Sequence, residues 1–456
     1  MKTGESIRLQ MEKISSDGSA IARTPEGLVV FVPGALPGED LEVRLSVRKK
    51  EYAIGSPGKI YMANPGRTEP FCPYYGTCGG CQLQHADYNL QRELKWSIVN
   101  DAFARIYKNP YPEISPCSGS PLEKNYRNKT SFPVGGRSGA AIVGYYSRRS
   151  HDIVETVRCP IMAKDVEESP ELFAYALRSS GLAPYNEKTG KGMIRHIILR
   201  YAFSTKDILV SIVTAKKASK EEKKLILEKI LPPLKEKYEN LRTLTLNYNP
   251  SRGNIIVGKN TETLSGDGKI EEDLGPFRFR YDTTAFFQVN PLQAVRLYEK
   301  AAEMAATEEN DPVLELYSGI GTLTAFLSRH SSSVTAVEEW GPSVERMKEN
   351  MERNRLSGKV RIAAGPVENH IRSFPKGFRT IVVDPPRTGC SREVLAGMTN
   401  LEPEKIVYVS CNPATLARDA ALLLEGGYEP EEICCFDMFP QTVHVESIAL
   451  FRRKNT

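Results

Sequence analysis

The run KIVYVSCNPATLARD, residues 405 to 419, carries an apolar strand-like stretch into a Ser-Cys-Asn-Pro turn before a helical pattern begins. A parallel strand feeding a helix turns its carboxyl end toward the crevice where α/β sheets bind ligands. Cys411 at that end is open to two readings, a nucleophilic thiolate aimed into a site or a small hydrophobe packed at a strand end. The run TIVVDPPRTG delivers Asp384 to the same kind of edge, where two prolines stiffen the turn without needing backbone donors. A carboxylate held there positions a cofactor or a substrate amine, or merely caps a turn.

A third run, VLELYSGIGTLT (313 to 324), couples a strand to a glycine-rich turn and a helix. Glu338 closes the following strand, VTAVE, seventeen residues after Gly321. Glycines let a ligand approach the backbone, and a carboxylate ending the second strand can accept both ribose hydroxyls. The dinucleotide fingerprint asks for a third glycine where Thr324 stands, which disfavours a pyrophosphate. A nucleoside without phosphates, S-adenosylmethionine, fits better.

Cys72, Cys78 and Cys81 cluster as C-x5-C-x2-C, and Cys159 follows in RCP. Four thiolates suit either tetrahedral Zn²⁺ or an iron–sulfur cluster, and His85 offers a Cys₃His zinc site as an alternative to Cys159. The remaining thiols, Cys117, Cys390, Cys434 and Cys435, are expected to pack. Cys434 and Cys435 are consecutive in a strand and so should face opposite ways.

The elements that must position these residues fall into three regions. Short alternating stretches broken by Gly, Pro and Asp-Gly over residues 1–60 predict a small β-barrel. Residues 61–282 form a mixed α+β region, with strands in MIRHIILRYAF and DILVSIVT and an amphipathic helix in SKEEKKLILEKILPPL. Residues 283–456 open on NPLQAVRLYEKAAEMAA, where Asn290 can cap and Pro291 sits at the first helical position. Strands and helices then alternate, which predicts a parallel, doubly wound sheet, and EICCFDMF and ESIALFRR close it as an antiparallel pair.

The 456-residue chain, 40% hydrophobic and 26% charged with nine cysteines, has an ordinary globular balance and too few cysteines for a disulfide scaffold. Its start, MKTGESIRLQ, is polar, and no stretch of eighteen apolar residues occurs, so a cytoplasmic protein with no membrane partner is expected; a monomer is the expectation for its assembly, which nothing in the sequence fixes. The net charge of +5 is mild, but residues 121–160 carry seven bases against three acids. Within them NYRNKTSF (125 to 132) interleaves basic and aromatic residues, which suits either an RNA-contacting stretch or a solvated edge.

In order along the chain, FFQVN (286 to 290), ELYSGIG (315 to 321), DPPR (384 to 387), SCNP (410 to 413) and HVES (444 to 447) resemble the S-adenosylmethionine-dependent RNA uracil-5-methyltransferases. Residues 1–60 look like that family's OB-like TRAM barrel, so the resemblance covers nearly the whole chain. It implies a multidomain α/β fold with a C-terminal Rossmann-like class I methyltransferase domain. By this resemblance Gln288, Tyr317, Glu338 and Asp384 contact S-adenosylmethionine, Cys411 is the nucleophile and Glu446 the base. Members with this cysteine pattern hold a [4Fe-4S] cluster, here on Cys72, Cys78, Cys81 and Cys159. Many members have Cys and Asn where this chain has Ser318 and Thr322, a departure close to the cofactor.

Cysteine is what such chemistry needs. Uracil C5 is a poor nucleophile until a thiolate adds at C6 and turns the ring into an enolate; a base must later remove the C5 proton so that the thiolate can leave. The target base must come out of its stack; Phe286 and Phe287 could support it, but both are expected to pack in the core. The expected RNA is 23S ribosomal RNA, methylated to 5-methyluridine. A tRNA loop uridine is the runner-up, and a non-catalytic RNA-binding iron–sulfur protein is the rival from another class.

Overall fold

Three sheets and one hairpin organise the chain in this computed structural model, which describes residues 3–307 and 311–454. The first sheet takes strands Ser6–Gln10, Lys13–Ile14, Ser19–Arg23, Val29–Pro33, Asp40–Arg48 and Tyr52–Met62 in the order first, fifth, sixth, fourth, third, second. Strand one also touches strand three, so the sheet curls around Leu9, Met11, Ala20, Ala22, Val30, Val32, Leu41, Val43 and Leu45. Alternating apolar positions supply this interior, as the sequence predicts.

A seven-stranded sheet follows, built on Ile194–Tyr201 and Ile208–Thr214, both buried along their whole length. Helix Ser169–Ser180 and the helical run from Lys220 to Lys237 cover it. Ser219 and Glu222 form a capping box at the start of that run. The cysteine-bearing segment, 63 to 87, has no helix or ladder strand of its own, and it leads into helix Tyr88–Ala102.

The last sheet runs Val360–Ala364, Val334–Glu338, Val313–Leu316, Thr380–Val383, Lys405–Ser410, Glu446–Arg453, Tyr428–Phe436. The first five strands are parallel; Glu446–Arg453 pairs antiparallel with both of its neighbours. Helix Pro291–Ala305 starts as expected, with the Asn290 side chain accepting from Gln293 N at 3.3 Å. Apolar clusters on both faces bury this sheet. Cys434 joins one cluster and Cys435 the other, and all four thiols expected to pack are buried.

The three regions meet in a small apolar cluster of Ile14 and Leu36 from the first sheet, Leu83, Ala86, Leu94 and Ile98 from the next segment, and Val443 from the final hairpin. Beside it Lys95 and Asp437 form a fully buried ion pair. Among the described residues, no helix is long and apolar enough to cross a membrane.

Candidate active site

The parallel order reverses between Val313–Leu316 and Thr380–Val383, so the carboxyl ends of these strands border the crevice of a doubly wound sheet. Tyr317 leaves the first of them with φ +63°, a left-handed backbone that non-glycine residues rarely adopt away from functional turns. Gly321 follows at φ +85°, where an added Cβ would lie 2.8 Å from Met347 and Met351. The turn is held from the neighbouring strand end: Glu338 accepts from Gly319 N at 2.9 Å and from Trp340 N at 2.7 Å. Glu315, inside the apolar strand, takes a hydrogen bond from the Thr324 hydroxyl, and burial pushes its carboxyl up to about 8.

Asp384, Cys411 and Glu446 share one edge. Ser410 is paired with Ser447, so the next rung of the antiparallel ladder sets Cys411 opposite Glu446, with both side chains on one face. Burial, then the charges of Glu446 and Asp384, push the Cys411 thiol up to about 11, and Arg387 opposes the rise. Burial and Asp384 likewise hold the Glu446 carboxyl well above its ordinary range, again against Arg387. Asp384 is pushed up to about 7 by burial. Burial makes each of these groups resist becoming negative, neighbouring charge adds to it for Cys411 and Glu446, and a positively charged ligand between them would relieve it.

Hydrogen bonds lock the three turns together. Asn412 caps helix Pro413–Glu425 and donates through Nδ2 to the Arg387 carbonyl at 3.0 Å, while Arg387 Nη2 donates to His444 Nδ1 at 3.3 Å. Arg387 and His444 stand inside quoted motifs, and their linking role was open to a reading of those motifs. Glu315 was signalled by being an acid in an apolar strand.

Gln288 is buried, and its carbonyl accepts from Asn128 Nδ2 at 3.2 Å. Phe287 stacks on Tyr281 with centroids 4.4 Å apart, whereas Phe286 is 64% exposed. Core packing, expected of both phenylalanines, holds for Phe287 and not for Phe286. The stretch 125–132 departs from expectation, because its aromatic members are interior. Tyr126 is buried with its hydroxyl on the Pro440 carbonyl at 3.1 Å, and Phe132 packs under the central sheet. Interleaved aromatics here serve the core, leaving Arg127 and Lys129 half-buried.

Those two cations line a cavity of roughly 400 Å³ together with Cys72, Cys78, Cys81 and Cys159. Burial raises all four thiols, Cys78 to about 11 and Cys81 to about 12. His85 is not on this wall; its ring meets the Tyr75 hydroxyl at 2.5 Å and the Ala35 carbonyl at 3.5 Å, which removes the Cys₃His alternative. Among the described residues, no group of three or more His, Cys, Asp or Glu is placed to hold a metal ion. The four cysteines line the wall of one cavity.

Residues 267–454 match the family model of tRNA (uracil-5-)-methyltransferases, and residues 1–57 match the TRAM domain. An uncharacterized RNA methyltransferase of Halalkalibacterium halodurans is 36% identical over 454 residues, covering 98% of this chain and 97% of its own. The chain belongs to the RNA uracil-5-methyltransferase family. A similar RNA methyltransferase of Listeria innocua is 35% identical over 457 residues, covering 100% of this chain and 99% of its own. Among solved structures, the Pyrococcus abyssi tRNA (uracil-54, C5)-methyltransferase in complex with S-adenosyl-L-homocysteine superposes with a TM-score of 0.77 at 26% identity, over 98% of this chain and 100% of that one. This methyltransferase is therefore an enzyme that uses S-adenosylmethionine and acts on RNA, and the non-catalytic reading falls.

Proposed function

We propose that this methyltransferase makes 5-methyluridine at a specific uridine of 23S ribosomal RNA through a covalent bond between Cys411 Sγ and uracil C6. The observation that carries the reading is the rung that faces Cys411 with Glu446 on the ligand edge, beside Asp384. In this reading Gln288, Tyr317, Glu338 and Asp384 hold S-adenosylmethionine, which supplies a methyl group on a positively charged sulfur. Glu338 suits the ribose, since each of its oxygens, already on a backbone N–H, keeps a free lone pair. Asp384 suits the cationic end.

Cys411 gives its proton to solvent and adds to C6 as the thiolate, leaving the ring as an enolate. C5 then bonds the methyl carbon, whose bond to the sulfonium breaks with its electron pair staying on the departing neutral thioether. Glu446 then removes the C5 proton, the C6–S bond breaks, and the thiolate returns. Exposed Phe286, two residues from Gln288, is placed to stack on a base drawn out of its helix. The chain works as three units, 1–60, 61–282 and 283–456, with the first binding RNA in the cytoplasm.

Cys72, Cys78, Cys81 and Cys159 would hold a [4Fe-4S] cluster. The resemblance of the cysteine pattern supports a cluster over zinc, and all four residues line one cavity. Its role is structural, and the methyl transfer requires no redox step.

The barrel and the cysteine cavity support ribosomal RNA; the full-length likeness to a tRNA (uracil-54, C5)-methyltransferase supports tRNA as the second reading. Purified enzyme given methyl-labelled S-adenosylmethionine and each RNA from a strain lacking it decides between them. Label in 23S RNA is expected. Label confined to tRNA establishes the second reading, and no label in any uridine sinks both.

A further inference from the structure

The connection 437–445, between the last two strands, delivers Glu446 to the edge, and it is held down by residues the chemistry above does not use. Gln441 lies at its centre, buried, with φ +72°. A long polar side chain in a left-handed backbone is uncommon, and here every polar group of the residue is engaged. Its backbone N–H donates to Gln91 Oε1 at 2.9 Å, and its side-chain oxygen accepts from Gln91 Nε2 at 3.0 Å. Its Nε2 donates to the Glu123 carbonyl at 3.2 Å. Its own carbonyl accepts from both Gln82 N and Leu83 N at 3.0 Å.

Those last donors immediately follow Cys81. Gln82 adds a second strut, with Nε2 on the Gly79 carbonyl at 2.9 Å and Oε1 accepting from Val443 N at 3.4 Å. The turn that carries Cys78 and Cys81 is thus bonded directly to the segment that ends in His444 and Glu446. Lys95 secures the start of the same connection through Asp437 and the Phe439 carbonyl.

We propose that Gln441, locked by Gln91, is the positioning residue for the general base, anchoring the connection to the cysteine-bearing turn so that Glu446 meets the C5 proton. The proposal rests on the role given to Glu446 above. It predicts a specific defect. If only the base is displaced, Cys411 still adds to C6 and C5 still receives its methyl group, but the proton stays and the C6–S bond cannot break. Methylated RNA then remains attached to the protein.

The test uses full-length enzyme, methyl-labelled S-adenosylmethionine, and 23S RNA and tRNA from cells lacking the enzyme. Gln441→Gly accepts the left-handed backbone and deletes the amide; Gln91→Met deletes the reciprocal partner. Both are expected to lower turnover about tenfold or more, keep the Kd for S-adenosylmethionine within about twofold, and accumulate a labelled protein–RNA adduct that resists SDS. Glu446→Gln should trap the same adduct. Trapping by Glu446→Gln but not by either amide variant overturns the positioning role and leaves the base assignment standing. No trapping by Glu446→Gln sinks the assignment itself. Loss of S-adenosylmethionine binding in both amide variants makes the contact a folding element and also overturns the proposal.

Discussion

The side chain of Asn412 donates to the backbone carbonyl of Arg387 at 3.0 Å, joining the turn after Cys411 to the turn after Asp384. The guanidinium of Arg387 is thereby held where its charge favours the ionised forms of both Cys411 and Glu446. Arg387→Met should push the Cys411 thiol higher still and slow covalent capture of RNA by about tenfold for each unit of that rise. With the thiol held near 11, the deficit should stay constant over neutral pH, because the thiolate fraction of both proteins rises by about tenfold per pH unit. Capture rates at saturating RNA between pH 7 and 9 check this; a deficit that vanishes at saturating RNA would assign Arg387 to binding instead.

RNA containing 5-fluorouridine has no C5 proton to lose, so the enzyme should remain bound to it through Cys411. Cys411→Ala should form no such complex and lose turnover entirely while still binding S-adenosylmethionine. Denaturing gels with labelled RNA read the complex. An adduct formed by Cys411→Ala would end the nucleophile assignment.

Asp384 makes cofactor binding depend on pH. Its carboxyl is pushed from the ordinary 3.8 up to about 7, so between those values the native state holds a proton that the unfolded chain has released. The ligand-free protein therefore loses stability as pH rises through that window. A bound cation reverses the preference, since it favours the ionised carboxylate. Affinity for S-adenosylmethionine should fall by up to about tenfold per pH unit below 7. S-adenosylhomocysteine, with its neutral sulfur, should show a smaller slope. Asp384→Asn should flatten the dependence and make the ligand-free protein more stable at pH 8. Calorimetric titrations at pH 6, 7 and 8 measure each slope, and equal slopes for the two ligands would remove Asp384 from the sulfonium.

Enzyme purified without oxygen should be brown and contain iron and sulfide, and Cys81→Ser should lose the colour. Stoichiometric zinc without iron would overturn the cluster. Removing the iron should also weaken protection of the Gln82 and Leu83 amides from hydrogen exchange, because their acceptor on Gln441 relies on an ordered cysteine turn.

Much of the catalytic domain is legible in local pattern. Asn290 and Pro291 announce their helix, and each parallel strand is a short apolar run bounded by turn residues. The placement of Cys434 and Cys435 in different cores follows from strand alternation alone. What local pattern does not contain is proximity across the chain. Cys159 meets the first three cysteines only because the central sheet folds back on them, and Glu446 meets Cys411 only because the last hairpin inverts a strand. The stretch 125–132 shows the converse limit, since Tyr126 and Phe132 have the composition of an RNA surface and the burial of a core. Gln441 carries no signal in composition at all; its amide matters through partners more than three hundred positions away.

The inverted strand Glu446–Arg453 has a consequence for how this edge tolerates change. The thiol closes one strand and the acid opens its neighbour, so their meeting is set by the register of the ladder. A slip of one residue within the final strand would turn Glu446 through the sheet into the opposite core and bring Ser447 or Val445 to the ligand side. An insertion one rung from the thiol is thus ruinous, and one inside helix Pro413–Glu425 turns its buried Leu416, Ala417, Ala420 and Leu423 out of the core.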